Sequence, residues 1–121
     1  MKRTILTVDD SKTIREMVGF TLKSNDYNVL EAEDGEAALT LLQSQKPDLI
    51  ITDVNMPKMD GITLIRRLRD QSDFKTIPIL LLTTEHTDEK KAEGRSAGAT
   101  GWIVKPFDPD KLLQVVNKLC A

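Results

Sequence analysis

Short apolar runs punctuate the chain at Ile5–Val8, Val29–Ala32, Leu49–Thr52, Ile79–Leu82 and Trp102–Val104. The first, third and fourth are nearly continuous aliphatic stretches, as expected for strands covered on both faces. The second, in VLEAED, alternates more and reads as an edge strand. Between the runs, apolar residues recur at helical spacing. Ile14, Met17, Val18 and Leu22 share a face, as do Ala38, Leu41 and Leu42. Leu64, Ile65 and Leu68 repeat the pattern, and so do Leu112, Val115, Val116 and Leu119. Ser11, Asp34 and Asp108 stand where helix N-caps belong, and Pro109 suits a first helical turn. Strand and helix alternate, which predicts right-handed crossovers. The fold class is therefore α/β, a single doubly wound five-stranded parallel sheet with helices on both faces.

The fourth helical segment, TDEKKAEGRSAG, departs from the pattern. Its only apolar side chains are Ala92 and Ala97, and Gly94 inside it costs about 1 kcal/mol against alanine. With little to bury, it reads either as a marginal, mobile helix or as a plain solvated one. The charges in DEKK and the lone His86 read as solvated surface.

Composition narrows the classes. The chain has 121 residues, which suits one domain over 1–121. Aromatics are only 4%, so the core must be aliphatic. A net charge of −2, without a basic run, disfavours nucleic-acid binding. No apolar run approaches the ~20 residues that span a bilayer. The start, MKRTILTVDD, is too short in its apolar stretch for a signal peptide, so a cytoplasmic location is expected. Cys120 cannot form an internal disulfide and reads as a small packing residue.

The candidate chemistry lies at the ends of the apolar runs. ILTVDD ends in Asp9 and Asp10, DLIITD in Asp53, PILLLT in Thr83, and GWIVK in Lys105. In an open parallel sheet these ends converge, and sites form there. Clustered carboxylates repel unless a cation sits among them, and hard oxygen ligands suit Mg²⁺. Asp10 is placed to ligate the metal directly, and Asp9 directly or through water. Asp53 can ligate with one oxygen and attack phosphorus with the other. Thr83 can donate to a phosphoryl oxygen, and Lys105 can supply positive charge to another. The plain alternatives are helix capping by Asp9 or Asp10, a turn role for Asp53 and a snorkelling Lys105. Their joint occurrence at four run ends favours the site.

The set VDDS, DVNMPKMDG, LLTTE and WIVKPF resembles the receiver domain of bacterial two-component response regulators, and over nearly the whole chain it is most similar to the stand-alone, CheY-type form. The resemblance implies the flavodoxin-like strand order 2-1-3-4-5. It implies Asp53 as phosphoacceptor, Asp9 and Asp10 as the acidic pair, and the backbone carbonyl of Asn55 as a further Mg²⁺ ligand. It also implies a cis Lys105–Pro106 bond. Met56-Pro57 and Asp60-Gly61 read as loop-shaping. Asn55 and Glu85 match positions that tune the lifetime of the phosphorylated state. Thr83 and the aromatic at 102 match the switch pair, although Trp102 replaces the more usual tyrosine or phenylalanine. Thr84 replaces a small residue and is expected to crowd the inward path of the switch. The implied output face joins the fourth helix, fifth strand and fifth helix.

The implied partners are a CheA-like histidine kinase as phosphodonor and, downstream, a flagellar switch component or a phosphatase. A monomer is expected, without nucleic acid or membrane. A phosphate-sink or adaptor receiver is the nearest alternative. A haloacid-dehalogenase-like phosphatase would need an aspartate where Asn55 stands, and this chain lacks a substrate cap. A flavin-binding module would need a neutral phosphate cradle where DDSK stands.

Overall fold

The structure, a computed structural model, describes residues 2–120. Its elements run β1 (Thr4–Val8), α1 (Lys12–Lys23), β2 (Asn28–Ala32), α2 (Gly35–Leu41), β3 (Leu49–Thr52), α3 (Gly61–Arg69), a 3₁₀ turn (Ser72–Phe74), β4 (Ile79–Thr83), α4 (Asp88–Ala97), β5 (Gly101–Val104) and α5 (Pro109–Leu119). The five strands form one parallel sheet in the order β2-β1-β3-β4-β5. Fold class, strand order and the edge position of β2 all match the sequence expectations.

Alternation along the strands feeds two cores. Leu6, Val8, Ile50 and Leu81 pack with residues of α2, α3 and α4 on one face. Ile5, Leu49, Ile51, Leu80 and Leu82 pack with α1 and α5 on the other, where Val18, Leu22, Leu112 and Val116 close the layer. Removing this aliphatic surface from water is the main stabilising term.

Helix starts follow the expected caps. The side chains of Ser11, Asp34 and Asp108 accept from the N–H groups of Ile14, Ala37 and Asp110. Asp60 and Thr87 do the same for α3 and α4. Met17, expected on the buried face of α1, is instead 49% exposed. The buried face centres on Val18, Thr21 and Leu22, and Met17 lies one step of roughly 100° to the solvent side of Val18.

Two features of the packing had no sequence signal. Gly94, read as a helix cost, lies buried against β5. A Cβ there would sit 2.8 Å from Cζ3 of Trp102 and 2.9 Å from Cδ1 of Leu81. The missing side chain is what lets the indole lie under α4. Arg69 ends α3 by bonding three separate carbonyls. Nε and Nη2 donate to Gly98 at 3.1 and 2.8 Å, and Nη1 donates to Phe74 and Ile77 at 2.7 Å each. One side chain thus ties α3 to the turn before β4 and to the left-handed C-cap of α4, Gly98 at φ 112°. Burial pushes the guanidinium pKa below its ordinary value. At Cys120, burial and then the charge of Asp48 push the thiol pKa up, which fits a packing role.

Candidate functional site

Strand register brings the chemistry together. Val8 lies opposite Thr52, so Asp9 and Asp53 leave the sheet side by side. The Asp53 N–H donates to the Val8 carbonyl at 3.0 Å, and the Asp9 N–H to Ala32 at 3.1 Å. Thr83 lies opposite Val104, and the Lys105 N–H donates to the Thr83 carbonyl at 2.8 Å. The Lys105–Pro106 peptide is cis.

Asp9, Asp10 and Asp53 each offer a carboxylate oxygen within 4.8 Å of the others. The Lys105 ammonium bridges two of them, with Nζ donating to Oδ2 of Asp9 and Oδ2 of Asp53 at 2.7 Å each. The remaining oxygens face backbone donors. Oδ1 of Asp9 accepts from the Ser11 N–H at 2.9 Å. Oδ1 of Asp53 accepts from the N–H groups of Val54 and Asn55 at 2.6 and 3.3 Å. Asp9 and Asp53 are buried, whereas Asp10 is exposed. Burial alone would push the Lys105 pKa down. The hydrogen bonds and charges of Asp53 and Asp9 outweigh it, so the pKa lies above its ordinary value and the ammonium stays charged at neutral pH.

Three carboxylates against one ammonium leave an excess of two negative charges in a set of hard oxygen donors. That donor set fits a small divalent cation such as Mg²⁺. An open cleft of about 390 Å³, lined by Asp10, Glu33, Asp34, Pro57 and Lys58, lies beside it.

A chain of contacts leads away from Asp53. The Asn55 side chain donates to Oε1 of Glu85 at 3.1 Å. The Glu85 N–H donates to the hydroxyl of Thr83 at 3.2 Å, and the Glu85 carbonyl accepts from Nε1 of Trp102 at 2.9 Å. Thr83 is fully buried, Trp102 half-buried. Thr84, expected to crowd the inward path, is exposed. The partner of the indole N–H was not legible in sequence, since it is a backbone carbonyl on another strand's loop. Gly61 was likewise read only as loop-shaping. A Cβ there would fall 1.9 Å from the Asp53 carbonyl oxygen, so this glycine lets α3 begin directly against the peptide group of Asp53.

Comparison with known proteins follows the same outline. A family model of the response regulator receiver domain matches residues 5–117. The structure is similar to that of Vibrio cholerae chemotaxis protein CheY4, with a TM-score of 0.94 and 48% identity over 98% of this chain and 99% of that one. It is also similar to the receiver domain of a sensor histidine kinase from Pseudomonas aeruginosa PAO1, whose structure has a magnesium ion coordinated in the active site cleft. There the TM-score is 0.91 and identity 26%, over 99% of this chain and 98% of that one. Among curated relatives, the phosphate regulon transcriptional regulatory protein PhoB of Escherichia coli (strain K12) is 40% identical over 113 residues, 93% of this chain. Those residues are 49% of PhoB, so the chain spans about half the length of that relative. Matched along nearly its whole length by sequence and by fold, with acidic residues, threonine and lysine gathered at one sheet edge, the chain belongs to the response regulator receiver domain family.

Proposed function

We propose that Asp53 accepts a phosphoryl group from a CheA-like histidine kinase and that the α4-β5-α5 face passes the signal to a partner in chemotaxis. The observation that carries the chemistry is the Lys105 ammonium held at 2.7 Å from both Asp53 and Asp9, beside a third carboxylate. The Val54 and Asn55 amides hold Oδ1 of Asp53, which leaves Oδ2 as the attacking oxygen. That oxygen forms a bond to phosphorus as the bond from phosphorus to the donor's imidazole nitrogen breaks, and the electron pair stays on that nitrogen. Lys105 then exchanges its bond to Oδ2 for one to a phosphoryl oxygen. Asp9, Asp10, Asp53 and the Asn55 carbonyl would hold Mg²⁺. When bound, the metal offsets repulsion between the carboxylates and the incoming phosphoryl oxygens. Hydrolysis returns the carboxylate, so the protein modifies itself and has no turnover substrate.

The signal would leave through Thr83. Its hydroxyl accepts from the Glu85 N–H in this structure. Donation from that hydroxyl to a phosphoryl oxygen draws on the same loop whose Glu85 carbonyl holds Trp102. Phosphorylation thereby biases an equilibrium of the 83–85 loop, the indole and α4. Beside the indole, a cleft of about 260 Å³ is lined by Lys91, Arg95, Ala99, Thr100, Gly101 and Trp102. Its two cations suit an acidic segment of a flagellar switch component or a phosphatase. Similarity to CheY4 over 98% of this chain, at 48% identity, favours chemotaxis. Among the described residues no helix is long and apolar enough to cross a membrane.

The test is intact-mass spectrometry after incubation with acetyl phosphate, with and without Mg²⁺. A single Mg²⁺-dependent phosphoryl adduct is expected. Absence of any adduct, when beryllofluoride also fails to bind, would overturn the proposal. The Asn55–Glu85 pair stands beside the acceptor, where hydrolytic water must approach. Asn55→Ala and Glu85→Ala are therefore expected to change the decay rate severalfold while phosphorylation persists. Decay identical to the native chain in both variants would remove the lifetime role.

A further inference from the structure

Every polar atom of Asp9 is engaged, and its carbonyl is held by a charged side chain from α1. The N–H donates to Ala32, Oδ1 accepts from Ser11, and Oδ2 accepts from Lys105. The backbone carbonyl accepts from Nη1 of Arg15 at 2.5 Å. Arg15 sits one turn into α1 and is itself largely buried, its side chain 15% exposed. Its Nε donates to Oε1 of Glu31 on β2 at 3.1 Å. One guanidinium therefore spans α1, the end of β1 and the end of β2.

We infer that Arg15 is a positioning residue for the acidic pair, fixing the Asp9–Asp10 peptide so that the two carboxylates are presented together to Mg²⁺. The inference rests on reading Asp9 and Asp10 as the metal's ligands. The carbonyl that Arg15 holds belongs to the peptide linking the two aspartates. Asp10 is exposed, so the orientation of that peptide is what constrains its side chain. A guanidinium near a cation site would ordinarily oppose the cation. Glu31 offsets that charge, so the Arg15–Glu31 pair supplies geometry at little electrostatic cost. Groups that orient metal ligands commonly set affinity in this way.

A charge role and a positioning role predict opposite signs. If only charge mattered, Arg15→Met would bind Mg²⁺ more tightly and Arg15→Lys would match the native chain. If Arg15 positions the pair, both variants bind more weakly, by about tenfold for Arg15→Met. Lysine fails to restore affinity because one ammonium cannot reproduce the fork to the Asp9 carbonyl and Glu31. Calorimetric Mg²⁺ titration of the full chain separates the two. In metal-free protein, the Ser11 amide, which bonds Asp9, should exchange faster in both variants, with Leu81 in the core unchanged. Arg15→Lys keeps the charge and the aliphatic stem and carries the test if Arg15→Met fails to fold. Equal or tighter Mg²⁺ binding by Arg15→Met, native affinity in Arg15→Lys, or unchanged Ser11 exchange would overturn the inference. Failure of the native chain to bind Mg²⁺ would instead overturn the site reading, and the metal-directed inference with it.

Discussion

Asp53→Asn is expected to abolish the phosphoryl adduct while the sheet stays folded. The carboxamide matches the carboxylate in shape, so the loop after β3 can keep its course. Its oxygen must take the place of Oδ1, because the Val54 and Asn55 amides donate there at 2.6 and 3.3 Å. The amide nitrogen then occupies the place of Oδ2, facing the Lys105 ammonium that now lies at 2.7 Å. Two donors in contact repel, so Lys105 retreats onto Asp9. The nitrogen lone pair is delocalised into the carbonyl and does not attack phosphorus. Loss of one carboxylate from three also weakens the cation site. Intact-mass measurement after acetyl phosphate treatment should show no adduct, and calorimetry should show weaker Mg²⁺ binding. An adduct that persists on the variant would move the acceptor to another residue.

Gly61→Ala is expected to be the most damaging single methyl addition near the site. Its Cβ would lie 1.9 Å from the Asp53 carbonyl oxygen, 2.9 Å from that carbonyl's carbon and 3.2 Å from the Cα of Val54. All three are backbone atoms, so no side-chain rotation relieves the clash. The surrounding bonds also resist movement. The Gly61 N–H donates to the Val54 carbonyl at 2.9 Å, and Asp60 caps α3 through the Thr63 N–H at 2.7 Å. Overpacking commonly costs about 1–3 kcal/mol, and a rigid backbone contact places this case at or above the upper end. A loss of about 3 kcal/mol or more in denaturant unfolding is expected. Because the displaced peptide belongs to Asp53, phosphorylation should fall as well. A stability within about 0.5 kcal/mol of the native chain, the range of ordinary surface changes, would contradict the packing described for this turn.

The two substitutions differ in how visible their targets were. Asp53 could be singled out because a carboxylate ends a fully buried apolar run, an expensive position unless a partner or cation waits there. Gly61 offered only the general turn preference of Asp-Gly. Its reason is a close approach between α3 and the loop, which no periodicity encodes. Gly94 misled in the same manner. Helix propensity marked it as a weakness, whereas it makes room for Trp102. Met17 was assigned to the wrong side of α1 because a helical stripe has a width, and only packing on the sheet decides where it ends.

Determined by sequence alone were the strands, the alternating helices, the caps Ser11, Asp34 and Asp108, and the gathering of Asp9, Asp10, Asp53, Thr83 and Lys105 at one edge. These depend on burial along a single element and on the rule that parallel strands share a direction, both of which leave a periodic trace. Only the tertiary structure decided which groups touch. Lys105 stands 96 residues from Asp9 and 52 from Asp53 in the chain, yet bonds both. Arg69 and Arg15 look in sequence like solvated helix residues, yet each satisfies backbone carbonyls of other elements. Carbonyl oxygens are the same at every position and carry no residue-specific signal. Their partners are therefore set by register and helix placement.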